Sequence, residues 1–596
     1  MIKKYALAGF LACSLLACQQ KNENTSAQEA TSSQDINGLL KEYWDQNARF
    51  FPLEATAQGD NRYNHLLPNS ATKAFRDSLQ QFYQTYLNRV KTFSREDLSP
   101  TDQLSYDVFV YDLNTKLAGF LLNTWMLPFH QMGGLPLTMG QYGSGQGNQP
   151  FKTVKDYENW LGRVQGFTVW ADSAMANMRQ GMAAGVVFPK PLVQKMIPQM
   201  QDLVVTDPTQ SLFYAPVQHF PQDFSAEDRQ RLTAAYTQAI QTQVVPTYQK
   251  LANFLQNEYL PQARTSTGIS ALPNGKAMYQ YFVQLETTTN KTPDEIYQTG
   301  LNEVKRIRQE MERLKNQVGF QGDLKAFFEY LRTDPKFRPY KTPEDVLNAF
   351  RSVQTRIEPN LNKMFGLKPK TRFEIRQTEA FRAASASIEY NPGSPDGSRP
   401  GIFYVPIVDA TQYNSTSGIE STFLHEAIPG HHYQISLQQE NQDLPDYRKF
   451  TYQGAYVEGW ALYTESLGKE LGVYTDPYMY MGALSDEIHR AIRLVVDVGM
   501  HYKGMTREQA IQYSLDNEAY SRDAVIAEVE RYMAMPGQAL SYKVGALKIR
   551  ELRDRYQQQL GKKFSLSGFH DAILKDGSLP LEVLEKKMDA WAAAQK

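Results

Sequence analysis

Cysteine is almost absent from this chain. Of 596 residues only Cys13 and Cys18 carry a thiol, both near the N-terminus. Beyond Cys18 no disulfide can form and no thiolate can hold a metal, so a metal site must be built from His, Asp or Glu. Excess charge is missing too: 63 basic residues face 64 acidic ones, a net charge of −1. Nucleic acid is therefore not expected as a partner, because polyphosphate binding needs clustered surplus Lys and Arg. After the N-terminus no run of 18 uninterrupted apolar residues occurs, so no transmembrane helix is expected. Histidine is scarce at nine, which gives weight to the three that fall between positions 425 and 432.

The N-terminus reads as a processing signal. Lys3 and Lys4 precede the apolar run Tyr5 to Ala17, which is too short to span a bilayer, and Leu15-Leu16-Ala17-Cys18 has the form of a bacterial lipobox. Residues 1–18 are expected to be a lipoprotein signal peptide, with Cys18 the lipidated first residue of the mature chain. Residues 19–35, rich in Ser, Thr, Gln and Asn, read as a flexible tether. The expected location is the bacterial cell envelope, with the membrane touched only through the lipid. Gln19 rather than Asp after Cys18 fits sorting to the outer membrane, periplasmic or surface-facing.

From about 36 to 370 the pattern is helical. Apolar residues recur at spacings of three and four in Ala71 to Phe93, Val154 to Gln180, Ala226 to Asn257 and Pro293 to Val318. Thr292-Pro293-Asp294-Glu295 and Thr342-Pro343-Glu344-Asp345 combine a cap residue, a first-turn proline and acids suited to a helix N-terminus. Gly133 to Gly147 reads as a Gly-rich loop that lacks the Gly-Lys-Ser/Thr ending of a phosphate loop. Phe373 to Arg376, Ser385 to Tyr390 and Gly401 to Pro406 look extended, a small sheet within 371–410 whose edge could pair with an extended peptide. Helices resume to residue 596. The expected architecture is mainly α, an N-terminal helical region 36–370 and a metal-binding region 371–596 forming one body.

The chemistry concentrates in His425-Glu426-Ala427-Ile428-Pro429-Gly430-His431-His432. Neutral imidazole is a zinc ligand, and an adjacent carboxylate can accept a proton from a water the metal activates. A common zinc-peptidase pattern has His at i and i+4 of one helix with Glu at i+1. Here i+4 is Pro429, and the histidines stand at i+6 and i+7. An ideal helix brings i+7, His432, to the same side as His425. Pro429 and Gly430 disturb that helix, and a bulge absorbing the extra residues would present His431 instead. On the residues alone both stay open.

A third ligand is expected from the apolar stretch Tyr456 to Leu467, where a carboxylate is costly unless paired or metal-bound. Glu458 is the choice. Glu465, seven residues on and on the same face, would orient a ligand from behind. The bland alternative for Glu458 is a buried salt bridge with Arg490 or Arg493. Arg493, Asp497 and His501 recur every four residues on one face, either as an intrahelical ion pair or as groups supporting a ligand or substrate. After Pro536-Gly537, Gln538 joins these candidates, and Tyr542 could donate to the oxyanion of a tetrahedral intermediate.

His425 to His432, with Glu458-Gly459-Trp460-Ala461-Leu462-Tyr463, Arg493-Leu494-Val495-Val496-Asp497 and Pro536-Gly537-Gln538, closely resembles the bacterial domain-of-unknown-function family 885 over most of the mature chain. The resemblance implies a mostly helical, zincin-like cleft with the small sheet beside the metal-binding helix. It also puts His431 first as ligand, His432 being the alternate. The chain is distantly similar to the thimet oligopeptidase, carboxypeptidase Taq and angiotensin-converting enzyme group, where a glutamate ligand follows the His-Glu helix on a second helix. The expectation is a gluzincin-like zinc metallopeptidase acting on short peptides. One Zn2+ per chain would be held by His425, His431 and Glu458, with Glu426 as general base. The rival is a non-enzymatic lipoprotein that captures glycans or peptides and needs no metal.

Overall fold

The computed structural model describes residues 35–379, 383, 386–394, 397 and 399–596. The signal peptide, Cys18 and the tether up to residue 34 lie outside the described residues. The long helices of the first half are α1 (Ile36–Phe50), α2 (Lys73–Val90), α3 (Pro100–Gly119), α4 (Val154–Ala184), α5 (Gly275–Thr287), α6 (Pro293–Gln317) and α7 (Pro343–Met364). Local chemistry sets several of their starts. Thr292 accepts from the Glu295 amide while the Glu295 carboxylate accepts from the Thr292 amide. Thr342 and Asp345 do the same for α7. The stretch from Ala226 runs on to Gln262 through wide turns at Ile240–Val244 and Leu255–Tyr259, each just ahead of a proline, Pro246 or Pro261, which withholds an amide from the helical ladder.

The Gly-rich segment is a correction to the sequence reading. Leu135–Gly143 is a helix rather than a loop. Gly143 lies so close to Phe213 and Trp160 that any Cβ would collide with them.

Three strands follow α7: β1 (Phe373–Gln377), β2 (Glu389–Asn391) and β3 (Gly401–Val405). β3 is central, parallel to β1 with Phe373 opposite Gly401, and antiparallel to β2 with Tyr390 opposite Phe403. The second strand is shorter than expected, and Ser385 lies outside the described residues. Beyond the sheet come α8 (Ile419–Glu426), α9 (His431–Glu440), α10 (Gly454–Glu465), α11 (Pro477–His501) and α12 (Ser541–Leu560). The protein is mainly α, as expected.

Two apolar cores meet along α11. Leu494 and Val498 belong to one; Ile488, Ile492, Val495 and Val496 belong to the other. With apolar residues facing both cores and most of Ile488 to His501 buried, α11 is a spine shared by the two. Residues 36–596 make one compact unit. Among the described residues no helix is long and apolar enough to cross a membrane.

Candidate metal centre

The eight-residue motif is a break between two helices. α8 ends at Glu426, residues 427–430 turn with an Ile428–Pro429 cis bond, and α9 begins at His431. This corrects the expected bulge: the ladder is interrupted completely. Three features hold the turn. Trp460 Nε1 donates to the Pro429 carbonyl at 2.8 Å, and Thr464 Oγ1 donates to the Leu424 carbonyl at 2.9 Å, both from α10. Gly430 packs so tightly on the Leu424 and His425 carbonyls that a Cβ there would overlap them.

The break decides between the two histidines. His431 faces His425, their rings 4.6 Å apart and nearly perpendicular. His432 points away: its Nδ1 meets the Tyr390 hydroxyl at 2.9 Å, and its ring lies 4.7 Å from Phe373 of β1. Burial among these groups lowers its pKa to about 4. The sheet thus takes the histidine that the metal centre does not.

His425, His431 and Glu458 bring one donor atom each to within 4.8 Å of one another. Glu458 Oε2 stands 3.6 Å from His425 Nε2 and 3.5 Å from His431 Nε2. Atoms bound tetrahedrally to one zinc at about 2.0–2.1 Å would stand roughly 3.3 Å apart. By contrast, the other nitrogen of His425 donates to Glu465 Oε1 at 2.7 Å, a true hydrogen bond. That bond leaves the Nε2 lone pair aimed at Glu458 and His431, the arrangement that fixes the tautomer of a metal-binding imidazole. The donor set fits a zinc ion.

Electrostatics agree with the geometry. Burial opposes charge on Glu458, but His431 and His425 hold its carboxyl well below the ordinary range. Burial likewise disfavours an imidazolium at His425, yet the neighbouring carboxylates Glu458 and Glu465 raise it to about 10 in the absence of a metal. Glu426, the last residue of α8, has its pKa raised by burial, partly offset by His425 and His431. It holds a proton more readily than an exposed carboxylate, which suits a group that must take one up and pass it on.

Among the described residues Glu458 forms no salt bridge with Arg490 or Arg493. It accepts instead from the Tyr452 hydroxyl at 3.1 Å, a residue that sequence reading did not single out. Arg493 and Asp497 do not pair with each other. Arg493 donates to Glu528 and Tyr532 of the helix Arg522–Ala534 and lies over the Tyr542 ring at 4.8 Å. Asp497 accepts from the Tyr279 hydroxyl at 2.6 Å and from the Gly537 amide. His501 accepts from the Ile269 amide and meets the Tyr532 carbonyl. Gln538 accepts from Arg531. Of these only Arg493 touches another candidate, Tyr542, and none touches a metal ligand. Tyr542 sits beneath Arg493.

Comparison with known proteins follows the same lines. A family described as bacterial protein of unknown function, DUF885, matches residues 52–588. A candidate lipoprotein of Colwellia psychrerythraea aligns with TM-score 0.86 and 28% identity over 94% of this chain and 99% of its own. A second, of unknown function, from Shewanella oneidensis aligns with TM-score 0.74 and 19% identity over 93% and 99%. A Trypanosoma cruzi metallocarboxypeptidase aligns at TM-score 0.33 and 11% identity over 94% and 93%, too weakly to carry an argument. No curated protein matches the chain.

Proposed function

The chain belongs to the bacterial DUF885 family, and we propose that it is a zinc-dependent peptidase held in the cell envelope by lipid at Cys18. The carrying observation is the convergence of His425 Nε2, His431 Nε2 and Glu458 Oε2 at the spacing of a shared ion, with Glu426 directly beside His425. A bound zinc supplies Lewis acidity and lowers the pKa of water toward neutrality. Glu465 fixes the His425 ring through Nδ1, and Tyr452 fixes the free oxygen of Glu458. Glu426 accepts a proton from the attacking water and delivers it to the departing amine, work its raised pKa favours. Arg493 lies over the Tyr542 ring, and the reading assigns Tyr542 the donation to developing negative charge.

The test is metal content and peptide hydrolysis of the chain lacking residues 1–18. About one zinc per chain is expected, with turnover of short peptides that Glu426→Gln abolishes while keeping the metal. A zinc-free protein after zinc is supplied, or full activity in Glu426→Gln, overturns the reading and favours a binding lipoprotein. The Colwellia relative supports the anchor. Cys18→Ala is expected to move the full-length protein from the detergent phase to the aqueous phase.

A further inference from the structure

A cavity of about 230 Å³ opens beside the metal centre, lined by α1, the short helix Pro52–Ala57, α3 and the segment from Tyr447 to Tyr452. Tyr452 belongs to both places: it lines the cavity, and its hydroxyl donates to the metal-site carboxylate Glu458. It keeps 60% of its surface open to solvent. Tyr452 therefore links the cavity to Glu458, one of the three donors.

The walls are aromatic. Trp44 and Phe450 stack at 5.5 Å and 10°, with Tyr43 and Phe51 nearby on the same lining. The charge is negative: Glu54, Asp60 and Asp112 face a single ammonium, Lys116. Two of these carboxylates are already satisfied. Asp112 takes Lys116 at 2.9 Å and the Tyr447 hydroxyl at 3.0 Å; Asp60 takes Arg62 at 2.7 Å. Glu54 is different. Its side chain is exposed to solvent, and its carboxylate has no hydrogen bond or ion pair among the described residues. Asn47, on the same lining, has a side-chain oxygen closed off from solvent and without a hydrogen-bond partner. Aromatic walls beside a carboxylate without a protein partner suit an organic cation.

We infer that this cavity is a substrate subsite that receives a cationic nitrogen group of the peptide, held by Glu54 against the Trp44–Phe450 wall. The inference rests on the peptidase reading, because it is the nearness to the metal ligands that makes the cavity part of a substrate path. The shared chemistry, an ammonium or guanidinium, can come from a free N-terminus or from a basic side chain.

Both sources are tested by calorimetric binding to zinc-supplied Glu426→Gln protein, so that binding is read without turnover. Four tripeptide amides serve as probes: Ala-Phe-Ala, its N-acetyl form, and N-acetyl forms with Lys or norleucine in place of the first Ala. At least one cationic peptide is expected to bind roughly tenfold more tightly than its neutral partner, the size of a charge-assisted contact. The pair that shows the preference names the source. Adding Glu54→Gln is expected to cut the preference below twofold. Raising salt from 50 to 500 mM with Glu54 intact should erode it too, a readout free of any folding effect. Equal affinities within both pairs, a preference that survives Glu54→Gln, or no binding of any probe overturns the inference. Failure of the peptidase reading would show separately, as no turnover of any of the four by the wild-type protein.

Discussion

At the scale of single residues, the centre separates two adjacent histidines by what each touches. His431 faces Glu458; His432 is spent on Tyr390 and Phe373. His425→Ala is therefore expected to lose the zinc, and His432→Ala to keep about one per chain, by elemental analysis after dialysis. Glu465 acts only through His425. Glu465→Ala should weaken zinc by about 10- to 100-fold, the usual cost of removing a group that orients a ligand, read by competition with a chromophoric chelator. Its second oxygen is buried with no partner, so the glutamate is held for the histidine rather than by a network of its own. The sequence showed these donors by type and spacing. It could not show Tyr452, because a tyrosine six residues before a glutamate carries no signal.

At the scale of elements, the metal helices are kept in register by glycines. α10 and α12 cross backbone to backbone: a Cβ on Gly545 would strike the Ala455 carbonyl, and one on Gly459 would lie 2.5 Å from the Gly545 Cα. Neither backbone can give way cheaply. Gly545→Ala is expected to cost about 1–3 kcal/mol in denaturant unfolding, the range for overpacking a tight contact. It should also weaken zinc binding, since α10 carries Glu458. Trp460→Phe keeps the bulk but removes the donor to the Pro429 carbonyl. It should loosen the turn at 427–430 and lower zinc affinity more than it lowers stability. The periodicity of α10 and the caps of α6 and α7 were legible from local sequence. The helix break was legible only as a conflict between Pro429, Gly430 and the metal spacing, because its path depends on partners thirty residues away.

At the scale of the whole molecule, α11 joins the two cores and ends at His501, which bonds backbone at Ile269 and Tyr532. Burial depresses this imidazole to about 4, so the folded protein keeps it neutral where an unfolded chain would protonate it. The stability this contributes is present above pH 6.5 and is lost as pH falls from 6.5 toward 4, because unfolding then takes up a proton. The slope is at most about 1.4 kcal/mol per pH unit. Asp497, raised to about 7 by burial, works in the opposite sense over an overlapping range. Comparing wild type with His501→Gln isolates the histidine. The variant should be the less stable at pH 7, and the gap should narrow toward pH 4 in denaturant titrations.

The sequence by itself determined that any metal would be held by imidazole and carboxylate, that the body would be mainly helical, and that Glu426 would stand next to the candidate ligand His425. These follow from residue type, short-range periodicity and the lack of cysteine, none of which needs long-range contact. The tertiary structure decided which histidine faces His425 and Glu458, because the path of residues 427–430 is set by Trp460, Thr464 and the close approach at Gly430. It also decided where Arg493, Asp497 and His501 spend their polar groups, since their partners come from Tyr279, Ile269 and the helix Arg522–Ala534. Only the fold could bring Glu54 and Trp44 to Tyr452, some four hundred residues on, where they share one cavity.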